Sequence, residues 1–415
     1  MDIPAVPAMF DDWESVPFHQ IDWDRLHKER RARVVAAMKK RGVDGIIVMR
    51  GASGDYISGT TDLHVYGGAS AGRTVYMTPD GQVWTTVIVP DWVPKDIPDS
   101  HLLDLPWDVN LIAKHVQQAF GTVAVKGAKI AVALGQRQGW DVLTEVLRGC
   151  TVVDGDELLE EAMLTKTQDE LLILKQALAI TESALYDVVR GLRPGVREIE
   201  LMAAYHKRAG AMGSSAAENE ASFCLTPRFK DPRFGHFTGA PYNRLTTVER
   251  SLEDGDLVYI SAGARWGDYT AEIGRTWYCT FETKPPQAAL DLYKQWNEAF
   301  RQMLEVCKPG KTAADLRRAC KGVGLLPDRY VAHGMGMGFQ PPIVGTYLGE
   351  AVEERYELRQ DMILVLEPYT WKEGIGGFQA KQMVHITANG PEVWGQFPMG
   401  PLAGQERVAQ YTATV

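Results

Sequence analysis

The sequence predicts an α/β protein of two domains, from the order of its apolar segments and from a change in texture near residue 160. Before this point, short β-branched runs alternate with amphipathic segments, an order typical of a sheet covered by helices. A long amphipathic segment then begins at Thr165. At 415 residues the chain is long enough for two hydrophobic cores. We therefore expect domains over residues 1–160 and 161–415.

The first domain is expected to alternate helices and strands. Residues 1–20 carry prolines and aromatic residues without periodicity, so we expect an arm lying on the surface or on a partner subunit. Apolar residues at helical spacing predict a helix over 22–41 that ends at Gly42. The other predicted elements are strands over 45–49, 74–77, 82–89, 129–133 and 151–154, and helices over 107–120 and 141–147.

The second domain is expected to open with the long helix, for which Thr167 and Glu170 form a capping arrangement. Further elements follow from the same periodicities. They are helices over 197–212, 286–307 and 312–323, and strands over 256–262, 273–281, 362–367 and 381–387.

Composition excludes several classes of function. The formal net charge of −9, without a lysine and arginine stripe, argues against nucleic-acid binding. No apolar run is long enough to span a membrane, and the first residues lack the pattern of a signal peptide. We therefore expect a cytoplasmic protein with neither a nucleic-acid nor a membrane partner. Five cysteines without C-x-x-C spacing are typical of free thiols in a reducing compartment: Cys150, Cys224, Cys279, Cys307 and Cys320.

Five short blocks carry the polar residues that we regard as candidates for chemistry. They are Asp256–Gly263, Tyr269–Thr276, Ala332–Gly336, Leu364–Pro368 and Gly376–Gln382. In this order they resemble the ligand blocks of the creatinase, prolidase and methionine aminopeptidase family, which has the pita-bread fold. The resemblance covers nearly the whole chain. It implies a creatinase-like amino-terminal α/β domain followed by a pita-bread catalytic domain.

In the metal-using members of that family, the blocks supply Asp, Asp, His, Glu and Glu to two divalent ions. The matching positions here are Ser261, Glu272, His333, Glu367 and Lys381. Divalent ions need several anionic oxygen ligands, whereas Ser261 is neutral and the Lys381 ammonium has no acceptor and would repel a metal. We therefore expect no dinuclear centre and no cofactor. A single zinc on His333, Glu272 and Glu367 is the alternative, which Lys381 disfavours.

The charges that remain favour a small cationic substrate. Buried carboxylates need compensation, and Lys381 supplies one positive charge against Glu272 and Glu367. The set is then negative by one, and His333 is able to change this by one more. Such a pocket suits a guanidinium, amidinium, ammonium or sulfonium group. Creatinase resembles this case, since it shares the fold, lacks the metals and hydrolyses a guanidino compound; ectoine hydrolases are a second metal-poor relative.

Each charged candidate also has a structural interpretation. His333, in a glycine-rich loop, is expected to shuttle a proton or to donate a hydrogen bond, or else to be a packed core residue. Glu367, at a strand end, is expected to anchor the substrate or act as a general base, or else to be a solvated edge residue. Glu272 matches a creatinase glutamate, and its alternative is a salt bridge to Arg275. Lys381 is expected to replace the metal electrostatically and to act as an acid or base, or else to be a surface strand residue.

Other candidates surround these charges. Ser261 is expected to fill space or to donate one hydrogen bond, and Gln382 closes the set beside Lys381. Tyr269 and Phe339 lie near the blocks and suit a cation–π contact with a cationic substrate; the alternative places them in the core.

Two further candidates rest on the resemblance to creatinase. His236 matches a catalytic histidine that precedes the Gly-Asp strand, although the loop is longer here and strict spacing would select Arg244. Arg73 matches a creatinase Gly-Arg pair that reaches into the partner's active site, and an arginine fork suits a substrate carboxylate. A solvent-exposed loop arginine is the alternative. The match implies a homodimer whose active site is shared between subunits.

These residues predict metal-independent hydrolysis of a C–N bond in a small cationic or zwitterionic amidino or amide compound. Glu272 and Glu367 would hold its positive end, and His333 with His236 or Lys381 would move protons. A lyase similar to the dimethylsulfoniopropionate lyase of this fold is the alternative reaction class, because β-elimination needs only a base and a cation pocket. A non-catalytic binding protein derived from a Xaa-Pro peptidase is a third hypothesis. A true proline peptidase is least expected, because its water activation depends on the metal pair.

Overall fold

The computed structural model describes most of the chain in two compact units. One unit runs from Ile21 to Asp169, and the other contains Glu170–Val415. Across the described ranges, every helix is too short or too polar to cross a bilayer. Arg73, His236 and the expected arm over 1–20 lie outside the described residues. The described residues are 21–49, 51–60, 74–87, 93–105, 110–124, 126–134, 138–226, 228–229, 248–281, 285–325, 330–345, 349–397, 399–400 and 402–403.

The amino-terminal unit is built on a mixed sheet. Its described elements are α1 (Trp23–Arg41), β1 (Gly45–Met49), α2 (Gly51–Ser58), β2 (Val75–Met77), β3 (Val83–Thr86), β4 (Leu102–Leu103), α3 (Leu111–Ala124), β5 (Lys129–Leu134), α4 (Gln138–Val146), β6 (Thr151–Asp154) and α5 (Asp156–Met163). The strands run in the order β4-β3-β2-β1-β5-β6. The pairs β1–β5 and β5–β6 are parallel, whereas β1–β2 and β2–β3 are antiparallel. Side chains from this sheet and from α3 and α4 form one hydrophobic core.

The carboxy-terminal unit contains two larger sheets and a two-stranded ribbon within its described residues. The first half supplies α6 (Gln168–Gly191), α7 (Glu198–Ala211), β7 (Ala216–Leu225), β8 (Asp256–Trp266), β9 (Tyr269–Thr270), β10 (Ile273–Cys279), α8 (Gln287–Val306) and α9 (Ala313–Gly322). The second half supplies β11 (Tyr330–Gly336), β12 (Gly338–Gly345), α10 (Glu350–Glu353), β13 (Ile363–Leu366), β14 (Tyr369–Lys372), β15 (Gly376–Gln379), β16 (Gln382–Thr387), β17 (Gly390–Val393) and β18 (Leu402–Ala403).

The two larger sheets have the strand orders β18-β10-β8-β7 and β12-β11-β13-β16-β17, with β9 paired to β8. Every residue of β8 is buried, which is typical of a strand covered on both faces. In α8, Leu292, Trp296 and Phe300 are buried at a spacing of one helical turn. Trp296 stacks on Phe300 and meets Phe378 of β15 edge-on, so this helix packs against the β14–β15 ribbon.

The position of His333 differs from the sequence-based expectation. It was expected in a glycine-rich loop, but it lies within β11, opposite Ile343 of β12 and Val365 of β13. The neighbouring glycine has a packing role, because a β-carbon on Gly334 would collide with the main chain of Pro341. Glycine here permits close approach of two strands, so its presence did not indicate a loop.

Candidate active site

Two strand pairings bring the candidate blocks of the carboxy-terminal unit together. Gly274 of β10 lies opposite Ser261 of β8 and forms an isolated antiparallel bridge with Lys381 on its other side. The two bridge hydrogen bonds are 3.1 and 2.9 Å long. In the other sheet, Glu367 follows β13 directly and donates its main-chain N–H to the Val331 carbonyl at 2.8 Å. The ends of separate elements therefore place their side chains in one region.

Four of the expected residues form a closed ionic cluster. Lys381 Nζ lies 2.5 Å from Glu272 Oε1 and 3.1 Å from Glu367 Oε2. His333 Nε2 lies 3.2 Å from Glu272 Oε2 and 3.2 Å from Glu367 Oε1. Each carboxylate thus has one oxygen beside the lysine and the other beside the histidine. We call Glu272, His333, Glu367 and Lys381 the quartet.

The quartet is removed from solvent. The exposed fractions of Glu272, His333, Glu367 and Lys381 are 7%, 0%, 1% and 2%. The alternative of Lys381 as a surface strand residue is therefore wrong: two carboxylates compensate the ammonium inside the protein. The alternative pairing of Glu272 with Arg275 does not describe this site either, because Glu272 pairs with Lys381 and His333.

The histidine has one hydrogen-bonded nitrogen and one nitrogen without an aligned bond. His333 Nδ1 lies 2.9 Å from the Gly334 carbonyl, which can only accept, so Nδ1 carries a proton. His333 Nε2 and Glu367 Oε1 are buried, and within the described residues neither makes a well-aligned hydrogen bond, despite the short distance between them. Both atoms therefore retain capacity to bond to a ligand.

The charges of the quartet support one another. Burial favours the neutral ring of His333, but the two carboxylates outweigh burial and raise its pKa to about 9. Burial alone would raise the pKa of Glu272, but Lys381 and His333 hold that pKa well below its usual range. Burial opposes the charge on Lys381, yet Glu272 and Glu367 raise its pKa well above its usual range. With His333 protonated, the quartet is neutral near pH 7.

Two polar residues at this site were not predicted from the sequence. Gln379 Nε2 donates to the Glu367 main-chain carbonyl at 3.0 Å and lies 3.3 Å from Glu367 Oε2. Tyr259, two residues before Ser261 on β8, is fully buried, and its pKa is raised by burial and influenced by Lys381 and Glu367. The signal that could have found both is the period of two along a strand, since each lies two positions from a named candidate.

The remaining candidates occupy different surroundings. Ser261 is 4% exposed and lies opposite Gly274. Phe339 is 45% exposed and stacks on His333, with ring centroids 4.0 Å apart and an angle of 26°. Gln382 accepts a hydrogen bond from Arg275 at 2.7 Å and donates to the Trp394 carbonyl. The Tyr269 hydroxyl is bonded to Glu170.

A cavity of about 710 Å³ lies within the amino-terminal unit and shares no residue with the quartet. It is lined by α1 residues such as Lys28 and Lys39, and by the segment around Asp80 and Asp96. The candidate active site is therefore the quartet, where the buried charges lie together.

Comparison with known proteins identifies the family. Residues 173–388 match metallopeptidase family M24, and residues 30–162 match the creatinase/prolidase amino-terminal domain. The chain belongs to metallopeptidase family M24. This match confirms the resemblance to the pita-bread family and the expected α/β fold. It also places the protein among the M24 hydrolases.

Individual M24 relatives are distant in sequence. A Xaa-Pro dipeptidase of Pyrococcus furiosus is 26% identical over 57% of this chain, which spans 64% of that protein. A creatinase of Bacillus sp. is 26% identical over 62% of this chain and 63% of its own length. The crystal structure of the prolidase from Pyrococcus horikoshii superimposes with a TM-score of 0.71 at 20% identity, covering 89% of this chain and 99% of that one.

The residues of the quartet do not match a metal-binding donor set. The Lys381 ammonium lies between the two carboxylates that a cation would need, and Ser261 adds only a neutral hydroxyl. In the part of the chain that the structure describes, no group of three or more His, Cys, Asp or Glu side chains is arranged to hold a metal ion. Within the quartet, the Lys381 ammonium is a positive charge beside both carboxylates.

Proposed function

We propose that this M24 chain hydrolyses a C–N bond of a small amidino or amide compound without a metal ion, and that the substrate is zwitterionic or cationic. The observation that carries the proposal is the position of Lys381, whose Nζ lies 2.5 Å from Glu272 and 3.1 Å from Glu367. A dinuclear peptidase centre needs these carboxylates as shared metal ligands. Here an ammonium of the chain itself already lies beside both of them.

The neutrality of the quartet restricts the substrate. Adding a lone cation to a buried neutral cluster is costly, because the extra charge has no partner. A zwitterion brings its own carboxylate, and a cation can bind when His333 releases its proton. Zwitterionic and cationic amidino compounds can therefore both bind without leaving an unpaired buried charge. Glu272 and Glu367 would accept hydrogen bonds from the amidinium N–H groups.

Proton transfer is assigned to His333. Because Nδ1–H is bonded to the Gly334 carbonyl, Nε2 is the atom that exchanges protons. Once His333 has released its proton, the neutral Nε2 accepts a proton from water as the water oxygen bonds to the substrate carbon. The C–N bond then breaks, and the leaving nitrogen takes this proton back from Nε2. Lys381 holds the carboxylates in place and keeps the water near a positive charge.

We propose further that the protein is a homodimer with a shared active site. Arg73 would then bind the substrate carboxylate from the neighbouring subunit, and His236 would be a second proton carrier. A matched pair of measurements tests both parts: light scattering for the assembly, and the Michaelis constant of Arg73→Ala against wild type. A monomer with full activity would contradict the shared site.

The central test compares metal dependence in two forms of the protein. Wild type is assayed against small amidino and amide compounds and Xaa-Pro dipeptides, with and without a chelator. The double variant Ser261→Asp, Lys381→Glu restores five metal-ligating side chains and is titrated calorimetrically with Mn²⁺. We expect chelator-resistant C–N hydrolysis in wild type, and Mn²⁺ binding only in the double variant. Chelator-sensitive dipeptide hydrolysis by wild type would refute the proposal, and product analysis separates hydrolysis from elimination. Lys294→Glu makes the same Lys-to-Glu change at an exposed site and is the control for that substitution.

A further inference from the structure

A buried arginine lies directly behind Lys381. Arg275 is fully buried and donates from Nη1 to the carbonyls of Gly274 at 2.7 Å and Lys381 at 2.8 Å. Its Nη2 donates to Gln382 Oε1 and to the Phe397 carbonyl, both at 2.7 Å. One planar guanidinium therefore joins its own strand to two distant segments, one at Lys381–Gln382 and one at Phe397.

A buried glutamate accepts hydrogen bonds from the same carboxy-terminal segment to which Arg275 donates. Glu182 is 1% exposed, and its Oε1 accepts the main-chain N–H groups of Gln396 at 2.7 Å and Phe397 at 2.8 Å. Burial lowers the pKa of Arg275 to about 10, and the negative charge of Glu182 opposes this effect. The pair thus binds both the amide and the carbonyl of Phe397.

The segment Trp394–Phe397 fits closely against these groups. Gly395 has a φ of 97°, and a β-carbon there would lie 2.7 Å from Glu182 Oε1 and 3.2 Å from Gln382 Nε2. Gln382 donates to the Trp394 carbonyl, and Trp394 donates to the Met383 carbonyl at 3.0 Å. The segment is therefore fixed to the residue that follows Lys381.

We infer that Arg275, Glu182 and the segment Trp394–Phe397 form a clamp that positions Lys381, and that Arg275 is a positioning residue of the site. The Lys381 main chain is held by Gly274 on one side and by the guanidinium on its carbonyl. A lysine side chain has many rotamers, so its Nζ reaches two carboxylates reliably only when its root is fixed. The inference rests on the proposed role of Lys381 as the resident cation.

The clamp is tested by the chemical reactivity of Lys381. The folded protein is treated with acetic anhydride, and acetylation of each lysine is quantified by mass spectrometry. Lys294, with 70% of its side chain exposed, is the internal reference. In wild type we expect Lys381 to react at least about a hundredfold more slowly than Lys294, because it is buried and paired.

Arg275→Lys removes the fork but keeps the charge, and Glu182→Gln keeps the shape but removes the charge. Each is expected to increase Lys381 acetylation about tenfold, which corresponds to about 1.4 kcal/mol of lost protection. Glu182→Gln is the milder change and keeps the test decisive if Arg275→Lys does not fold. Arg317→Lys is the matched control: Arg317 is also buried, but its hydrogen bonds go to Glu353 and the Gly345 carbonyl.

Three results would overturn the clamp, and they have different implications. Lys381 that stays protected in both folded variants refutes the clamp while leaving the proposed function intact. Equal exposure of Lys381 in Arg317→Lys shows general loosening and also refutes it. Rapid acetylation of Lys381 in wild type would contradict the closed quartet, and the proposed function would fail together with the clamp.

Discussion

The side chain of Lys381 lies directly over Gly274, and a β-carbon on that glycine would come within 2.8 Å of Lys381 Cγ. The Cβ and Cδ atoms of the lysine would be 3.2 and 3.3 Å away. These atoms belong to the root of the side chain, so they cannot move aside without moving the ammonium. Gly274 therefore provides the space through which Lys381 reaches the carboxylates.

Gly274→Ala is expected to displace Lys381 from Glu272 and Glu367. Overpacking of this kind lowers the free energy of unfolding by about 1–3 kcal/mol. Urea unfolding measures this loss, and the acetylation rate of Lys381 reports the displacement. Gly210→Ala is the control, because a β-carbon at Gly210 in α7 meets nothing within 4 Å. Unchanged Lys381 protection in a folded Gly274→Ala protein would contradict the packing argument.

The stability of the protein is expected to fall on the alkaline side through His333. Its pKa is about 9 in the folded protein and 6.5 ordinarily, so its contribution is complete below pH 6.5 and is lost as the pH rises to about 9. The loss amounts to about 3 kcal/mol, at about 1.4 kcal/mol for each unit of pKa. Urea unfolding of wild type and His333→Gln at several pH values measures it. The difference between the two proteins should shrink toward pH 9; a constant difference would exclude this role.

The stability of the protein in acid is expected to depend on Glu272, whose pKa is lowered in the folded protein. A lowered carboxyl pKa contributes stability above its ordinary value of 4.5, and this contribution is lost as the pH falls through the folded pKa. Glu272→Gln should therefore be much less stable than wild type near neutrality and approach it in acid. Loss of one partner of a buried ion pair costs about 3–5 kcal/mol. Parallel stability curves for the two proteins down to strong acid would count against the quartet.

Phe339 is expected to favour the charged form of His333, because the rings stack with centroids 4.0 Å apart. A cation–π contact contributes about 0.5–1 kcal/mol, so Phe339→Ala should lower the pKa of His333 by about half a unit. Nuclear magnetic resonance titration of the His333 ring measures this shift. Phe339→Tyr retains an aromatic ring and should leave the pKa nearly unchanged. A pKa that is identical in all three proteins would show that the stacking has no electrostatic effect.

Glu367→Gln is expected to reduce the rate of the proposed hydrolysis by about two orders of magnitude or more, since the substrate anchor and one neighbour of His333 are both weakened. Glu392→Gln is a suitable control, because Glu392 also lies beside a histidine, His385, but 52% of its side chain is exposed. Steady-state kinetics on the hydrolysed compound distinguishes the two variants. Full activity of Glu367→Gln would remove this residue from the mechanism.

Periodic segments of the sequence were sufficient to locate much of the second domain. The helix expected over 286–307 is Gln287–Val306, and the strand expected over 381–387 is Gln382–Thr387. The helix has a long apolar pattern at helical spacing, and the strand is a short run that includes Met383, Val384 and Ile386. By contrast, β7 (Ala216–Leu225) and β12 (Gly338–Gly345) were not predicted. The first has a polar start, and the second contains Gly and two prolines, which normally argue against a strand.

The residues of the quartet could be named from the sequence, but their electrostatic balance could not. Lys381 and Glu272 are 109 residues apart, and burial of each depends on the other. Local pattern therefore left open a surface position for Lys381. The protonation of His333 likewise depends on two carboxylates from separate elements. Such properties arise only when the chain has brought distant segments together.

The most direct test of the account is the metal content of the purified protein, measured by inductively coupled plasma mass spectrometry before and after chelator treatment. Because Lys381 supplies the positive charge between Glu272 and Glu367, we predict substoichiometric metal and no change in activity after chelation. About two firmly bound equivalents per chain, with activity lost on their removal, would match a dinuclear centre and contradict the account.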